Sequence, residues 1–230
     1  CESAFLDTSL SGTLTIPISV QTIDRFAFAA TDITEVVFEG RAGAAGLSTG
    51  IGAYAFYNCN SLAELTFEEN SIVSTIGEGA FMDTEELTDI TIPSTVTEIG
   101  DRAFAWSEYE DEEYDEDYTK DLSITFASGD DSTLADLYLG NAIFLGCEID
   151  ELALPANAVI STGFFNGIVL GYNALSVSEN NDTMAVENDA IYLKSTTGSL
   201  DTLLLYVGSD EVFDFTDEEG NVINVLTIAD

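Results

Sequence analysis

The residues able to do chemistry in this 230-residue chain are nearly all carboxylates. Forty-three Asp and Glu face five Lys and Arg, giving a formal charge of −38, and histidine is absent. Without an imidazole, Ser-His-Asp, Cys-His and His-metal chemistry are all excluded. Paired carboxylates hydrolyse glycosides when they flank a scissile bond. The sequence singles out no such pair among its forty-three acids, so no enzyme activity is expected. The Gly-rich stretch from Gly40 to Gly52 holds neither GxxxxGK(S/T) nor GxGxxG, which leaves nucleotide binding without a basis.

The acids are densest from Glu108 to Tyr118, in the run EYEDEEYDEDY. Clustered carboxylates suit Ca²⁺, the one cofactor these residues suggest, with Glu110, Asp111, Glu112, Asp115 and Asp117 as candidate ligands. Their spacing matches no EF-hand loop, and a solvated insertion is the simpler reading because each carboxylate resists burial. The interleaved Tyr residues also suit a recognition surface. Asn181-Asp182-Thr183 is a sequon and makes Asn181 a candidate glycosylation site. Cys1 stands where a processed bacterial lipoprotein carries its lipid; an intermolecular disulfide and a mere boundary of the sequence are the alternatives. None of the three cysteines has the close spacing of a zinc site.

So acidic a surface repels nucleic-acid phosphates and anionic membranes, which removes nucleic acid from the expected partners. No apolar run approaches the roughly 20 residues of a transmembrane helix. The charge reads as a solvated face, with adaptation to high salt or divalent-cation binding as sharper alternatives. A content of 46% hydrophobic residues with fourteen Phe indicates a packed core rather than a disordered acidic chain.

The core is laid out by repeats. The clearest copy is LTDITIPSTVTEIGDRAF, Leu87 to Phe104, and an earlier one is GTLTIPISVQTIDRFAF, Gly12 to Phe28. Ala-Phe pairs end at Phe28, Phe56, Phe81 and Phe104, spaced by 28, 25 and 23 residues, and degenerate copies put Phe144 and Phe165 in the same role. The alternation Leu87, Ile90, Ile92 predicts a short strand with one face inward. Pro17, Pro93 and Pro155 each follow an Ile or Leu and stop that strand, since proline cannot donate to a ladder. Val96, Ile99, Ala103 and Phe104 return to the interior, with Gly100 expected to allow a tight bend. One rung cannot bury its own apolar edge, so the rungs must stack. Cys59 and Cys147 lie three residues after Phe56 and Phe144, where other copies have Thr31, Thr84 and Ser107. That is a ladder of small polar residues. At ~4.8 Å per rung the two thiols are roughly 15 Å apart, beyond disulfide reach.

The pattern IP-x-x-V-x-x-IG-x-x-AF-x-x-C-x-x-L resembles the BspA-like leucine-rich repeats of bacterial and protist surface proteins, most closely over Ile51–Leu65 and Leu87–Phe104. The resemblance implies a right-handed solenoid, extracellular placement and adhesion, and carries over no catalytic residues. The expected architecture is a repeat solenoid, mainly β with short irregular or helical returns, over residues 1–170, with an acidic insertion near 107–121. Residues 171–230 are expected to form an atypical β-rich end, a cap or docking segment. There Ile191–Leu193 and Leu203–Tyr206 read as a hairpin turning near Gly198. Glu211–Phe215 and Val222–Ile228 read as two further strands. The expected function is a surface adhesion module binding a protein or glycan. The alternative is a self-assembling subunit of a surface filament or layer, stacking through solenoid ends with unpaired edges.

Overall fold

The computed structural model describes residues 1–43, 46–107, 119–171, 174–187, 190–194 and 200–206, the last by backbone alone. Nineteen strands are described, and no α-helix among these residues. The chain winds so that each turn adds one strand to each side of a flattened coil. One side carries β1 (Ser11–Ile16), β3 (Asp32–Phe38) and β5 (Glu64–Phe67) in one parallel sheet. It continues through the parallel pair β7 (Asp89–Ile92) and β10 (Ser123–Phe126), then the pair β13 (Leu152–Leu154) and β16 (Leu175–Val177). β5 and β7, and β10 and β13, lie side by side without ladder bonds.

The other side is unbroken. Here β2 (Thr22–Ile23), β4 (Thr49–Ile51), β6 (Val73–Ile76), β8 (Glu98–Ile99), β11 (Leu137–Leu139) and β14 (Ala158–Ile160) form one parallel six-stranded sheet. Its register puts Ile23, Ile51, Ile76, Ile99, Leu139 and Ile160 in one inward row. Thr22, Gly50, Thr75, Glu98, Tyr138 and Val159 form the outward row beside it. A third short parallel sheet joins β9 (Lys120–Asp121), β12 (Cys147–Ile149) and β15 (Val169–Leu170). The hairpin expected near the end is present as β18 (Ala190–Lys194) and β19 (Leu200–Tyr206), with β17 (Met184–Glu187) added antiparallel on the far side of β18.

The prolines act as the sequence suggested. Pro17, Pro93 and Pro155 follow β1, β7 and β13, and the carbonyl of each accepts a bond from the amide three residues on, from Val20, Val96 and Ala158. The returns are irregular turns rather than helices. Ser3, Phe26, Tyr54, Arg102 and Ala142, two residues before a repeat ring, all have left-handed φ of 50–56°. Gly79 stands at the same position. Their amides at Phe26, Tyr54 and Arg102 donate to the next rung rather than within their own turn, which holds a conformation ordinary L-residues disfavour.

Gly100 has a different task from the one expected of it. A Cβ there would lie 2.6 Å from the Glu78 backbone nitrogen, and at Gly52 and Gly77 equally close to the rung before. These glycines let rungs approach; the left-handed bend falls two residues later, at Arg102.

Inside, the repeat rings form one stack. Phe5–Phe28, Phe28–Phe56, Phe56–Phe81 and Phe81–Phe104 have centroids 5.1, 5.4, 5.2 and 5.5 Å apart and planes within 9°. Phe144 follows at 6.2 Å. Phe164, not Phe165, completes the row: it is fully buried and meets Phe144 edge-on at 6.0 Å, while Phe165 is half-buried beside it. Phe5 belongs to the same row, and Ala4-Phe5 with Thr8 three residues on carries the repeat signature.

Candidate interaction surfaces

Each residue singled out by the sequence now has a place. The candidate Ca²⁺ ligands Glu110, Asp111, Glu112, Asp115 and Asp117 lie outside the described residues, as do Gly198 and the two runs Glu211–Phe215 and Val222–Ile228. Cys1 is exposed, with its backbone nitrogen 2.7 Å from an Asp24 carboxylate oxygen.

Asn181 is a correction. The sequon asparagine is buried at 1% exposure. Its Nδ2 donates to the carbonyls of Pro155 (3.1 Å) and Ala158 (3.0 Å). Its Oδ1 accepts from the amides of Thr183 and Met184 and from the Thr183 hydroxyl. A glycan on Nδ2 would displace these bonds and expose groups that are costly to leave unpaired. Asn181 instead fastens β17 to the last proline turn of the array.

The cysteines are free and sit in the polar ladder. Thr8, Thr31 and Thr84 donate to the carbonyls of Phe5, Phe28 and Phe81 in their own rungs. The thiols reach one rung back, Cys59 to Phe28 O at 3.2 Å and Cys147 to Phe104 O at 3.4 Å. Burial raises both thiols, Cys147 to about 12, so neither is a nucleophile near neutral pH. Opposite Cys147 stands Lys120, where the chain rejoins the array after the acidic run. Ser107, expected in this ladder, is instead held by Asp83, which accepts from its amide and its hydroxyl at 2.7 Å each. The Lys120 side chain is buried, and its Nζ donates to the Thr84 carbonyl. Desolvation lowers its pKa from 10.5 to about 8, against opposing pulls from Cys147, Asp83 and Glu85.

Among the described residues, three surfaces stand out. Around the first ring Phe5, Leu6 and Leu10 are 44, 43 and 38% exposed and form an apolar patch. A groove of about 480 Å³ lies over the break between β10 and β13, lined by Ser123, Thr125, Ala153, Ser176, Asp130 and Glu179 among others. Asp130 there already accepts from Ser178 at 2.7 Å, and Phe126 is turned inward and buried. On the unbroken sheet a second groove of about 290 Å³ runs between β8, β11 and β14, beside Tyr138, which is 54% exposed. A cation is also placed near aromatics: the Arg25 guanidinium lies 4.9 Å from the Phe26 ring and 5.5 Å from Tyr54. Among the described residues, no group of three or more carboxylate or thiol side chains is placed to hold a metal. No described helix is long and apolar enough to cross a membrane.

Solved structures of similar shape include a leucine rich cell surface protein of Faecalibacterium prausnitzii, 23% identical with a TM-score of 0.48 over 86% of this chain. A leucine-rich repeat protein of Eubacterium ventriosum is 23% identical with a TM-score of 0.38 over 78%. The pneumococcal vaccine antigen PcpA is 17% identical with a TM-score of 0.34 over 79%. The chain spans 55, 44 and 34% of the lengths of these three proteins. None of the curated proteins matches it in sequence. The family model described as the BspA type leucine rich repeat region, with six copies, matches residues 1–105 and 49–169. With the stacked Ile-Pro strands, close-approach glycines and buried Ala-Phe turns in view, the chain belongs to the BspA type leucine-rich repeat family.

Proposed function

We propose that this chain is a non-enzymatic binding module of a cell surface, which presents the outward rows of its repeat array to a partner protein or glycan. The observation that carries the reading is the division of labour between rows. The inward row Ile23, Ile51, Ile76, Ile99 and Leu139 is buried throughout. The adjacent outward row, Thr22 to Val159, is held in register across six strands and free of core duty. A rigid, regular display of this kind suits recognition, because its side chains are ordered before a partner arrives. Family membership supports the same role, and the absence of histidine removes the commonest catalytic alternatives. Saturable binding of the purified chain to a panel of immobilised matrix proteins and glycans is the expected result; no saturable binding to any of them refutes the reading.

Self-assembly into a filament or layer is the second reading, favoured by the exposed apolar patch of Phe5, Leu6 and Leu10. A head-to-tail contact that does not close generates a fibre. Ca²⁺ at Glu110, Asp111, Glu112, Asp115 and Asp117 would screen charge between copies, and lipid on Cys1 would anchor the module to a membrane. Electron microscopy with and without millimolar Ca²⁺ decides this second reading: ordered filaments support it, and compact monomers at every salt and Ca²⁺ concentration end it.

A further inference from the structure

The groove beside Tyr138 has features that the other two surfaces lack. Tyr138 projects from β11 between Glu98 on β8 and Val159 on β14, its neighbours in the outward row. Its hydroxyl is 3.1 Å from an Asp136 carboxylate oxygen, which steadies an exposed ring. Beside it the floor is made by Gly100 and Gly140, where side chains are absent because the rungs approach too closely to admit a Cβ. The wall is polar and already ordered. The Asp101 carboxylate accepts from the Asn141 amide at 2.7 Å and from its Nδ2 at 3.1 Å, and Asn141 Oδ1 accepts from the Gly163 amide at 3.1 Å.

Ser161 lines the same groove, with its Oγ shielded from solvent. From these observations we infer that the groove is a subsite for one neutral sugar ring, a deeper statement of the adhesion reading and dependent on it. A pyranose has an apolar face for the Tyr138 ring and hydroxyls that donate to the Glu98 and Asp101 carboxylates. At about 290 Å³ the groove is at the small end of ligand sites, fitting one ring rather than a larger compound. No Lys or Arg lines it, and the chain carries a formal charge of −38, so an anionic sugar is disfavoured.

Saturation-transfer NMR on the whole chain tests this, with methyl glucoside, methyl galactoside, methyl mannoside and N-acetylglucosamine as probes and glucuronic acid as the anionic comparison. At least one neutral probe is expected to bind with a dissociation constant of about a millimolar, the scale for a dozen heavy atoms on an open surface. Tyr138→Phe keeps that affinity, Tyr138→Thr weakens it about tenfold or more, and glucuronic acid binds more weakly than the neutral probe. Tyr138 is exposed and Thr suits a strand, so the variant folds, as its circular dichroism will report. No transfer to any neutral probe, unchanged affinity in Tyr138→Thr, or equal binding of glucuronic acid overturns the inference. If the chain still binds matrix proteins saturably in that event, the adhesion reading stands and only the sugar subsite falls.

Discussion

The rungs before the acidic run and those after it solve one packing problem with different precision. From Phe5 to Phe104 successive rings lie face to face, with centroid spacings of 5.1–5.5 Å and planes within 9°. After Lys120 the spacing widens to 6.2 Å, and the last pair, Phe144 and Phe164, turns edge-on at 86°. Phe56, Phe81 and Phe104 in the first half and Phe144 and Phe164 in the second are nonetheless all fully buried, and both halves share the parallel sheet that runs through β8, β11 and β14. The comparison teaches that this solenoid requires an inward ring and an unbroken ladder, whereas face-to-face geometry follows from the Ala-Phe motif in the regular half. Edge-on and offset contacts are of similar worth, so the irregular half loses little by its variation.

The largest effect expected of that comparison is at the ring stack. Phe81→Ala and Phe164→Ala should each cost about 3–5 kcal/mol in chemical denaturation, because both rings are fully buried. A cost for Phe164→Ala below about 1 kcal/mol would show that the later half is packed differently in solution.

The junction between the halves is the next place to press. Lys120 has a folded-state pKa of about 8 against 10.5 when free, so the unfolded chain binds the extra proton between those values. Stability therefore rises with pH across that window, by about 3 kcal/mol from this residue. Cys147, at about 12 against 9, works in the opposite sense above pH 9, so the rise in the natural chain is visible from about pH 8 to 9 and flattens beyond. The stability difference between the natural chain and Lys120→Met, followed from pH 7 to 10.5, isolates the lysine; a difference that stays flat would place Lys120 in water.

Smaller effects test the turns. Gly100→Ala forces a Cβ against the Glu78 backbone and should cost about 1–3 kcal/mol in the regular half. A neutral outcome would mean the rungs are further apart than 2.6 Å contacts imply. Ala30→Gly goes the other way. Ala30 holds φ at 53°, and glycine there should raise stability by about 0.5–1 kcal/mol, the relief of left-handed strain less the entropy gained by the unfolded chain. A lower melting temperature for this variant would contradict the strain.

The strands, the proline stops and the buried rings were legible because each depends on a residue type repeated at fixed spacing. What escaped depends on neighbours in other rungs. Left-handed backbone at Phe26, Tyr54 and Arg102 leaves no mark in composition, since the inter-rung amide bonds impose it. Gly100 was correctly marked as special, but only the approach of Glu78 reveals why. Lys120 reads as one more surface cation until the splice brings it opposite Cys147. The sequon at Asn181 is a local tripeptide, and its burial is decided by carbonyls 23 and 26 residues earlier. Tyr138 had no distinguishing spacing at all; its prominence follows from standing on a sheet whose neighbouring glycines leave it exposed.

The central claim is that recognition lives on the outward row of the unbroken sheet while the inward row holds the fold. A variant carrying Thr22→Lys, Thr75→Lys, Glu98→Lys and Tyr138→Lys tests it directly, compared with the natural chain for melting and for binding to the panel of matrix proteins and glycans. The account predicts that the variant melts cooperatively, as a folded array does, and loses saturable binding. Binding that persists at full strength in the folded variant would contradict it.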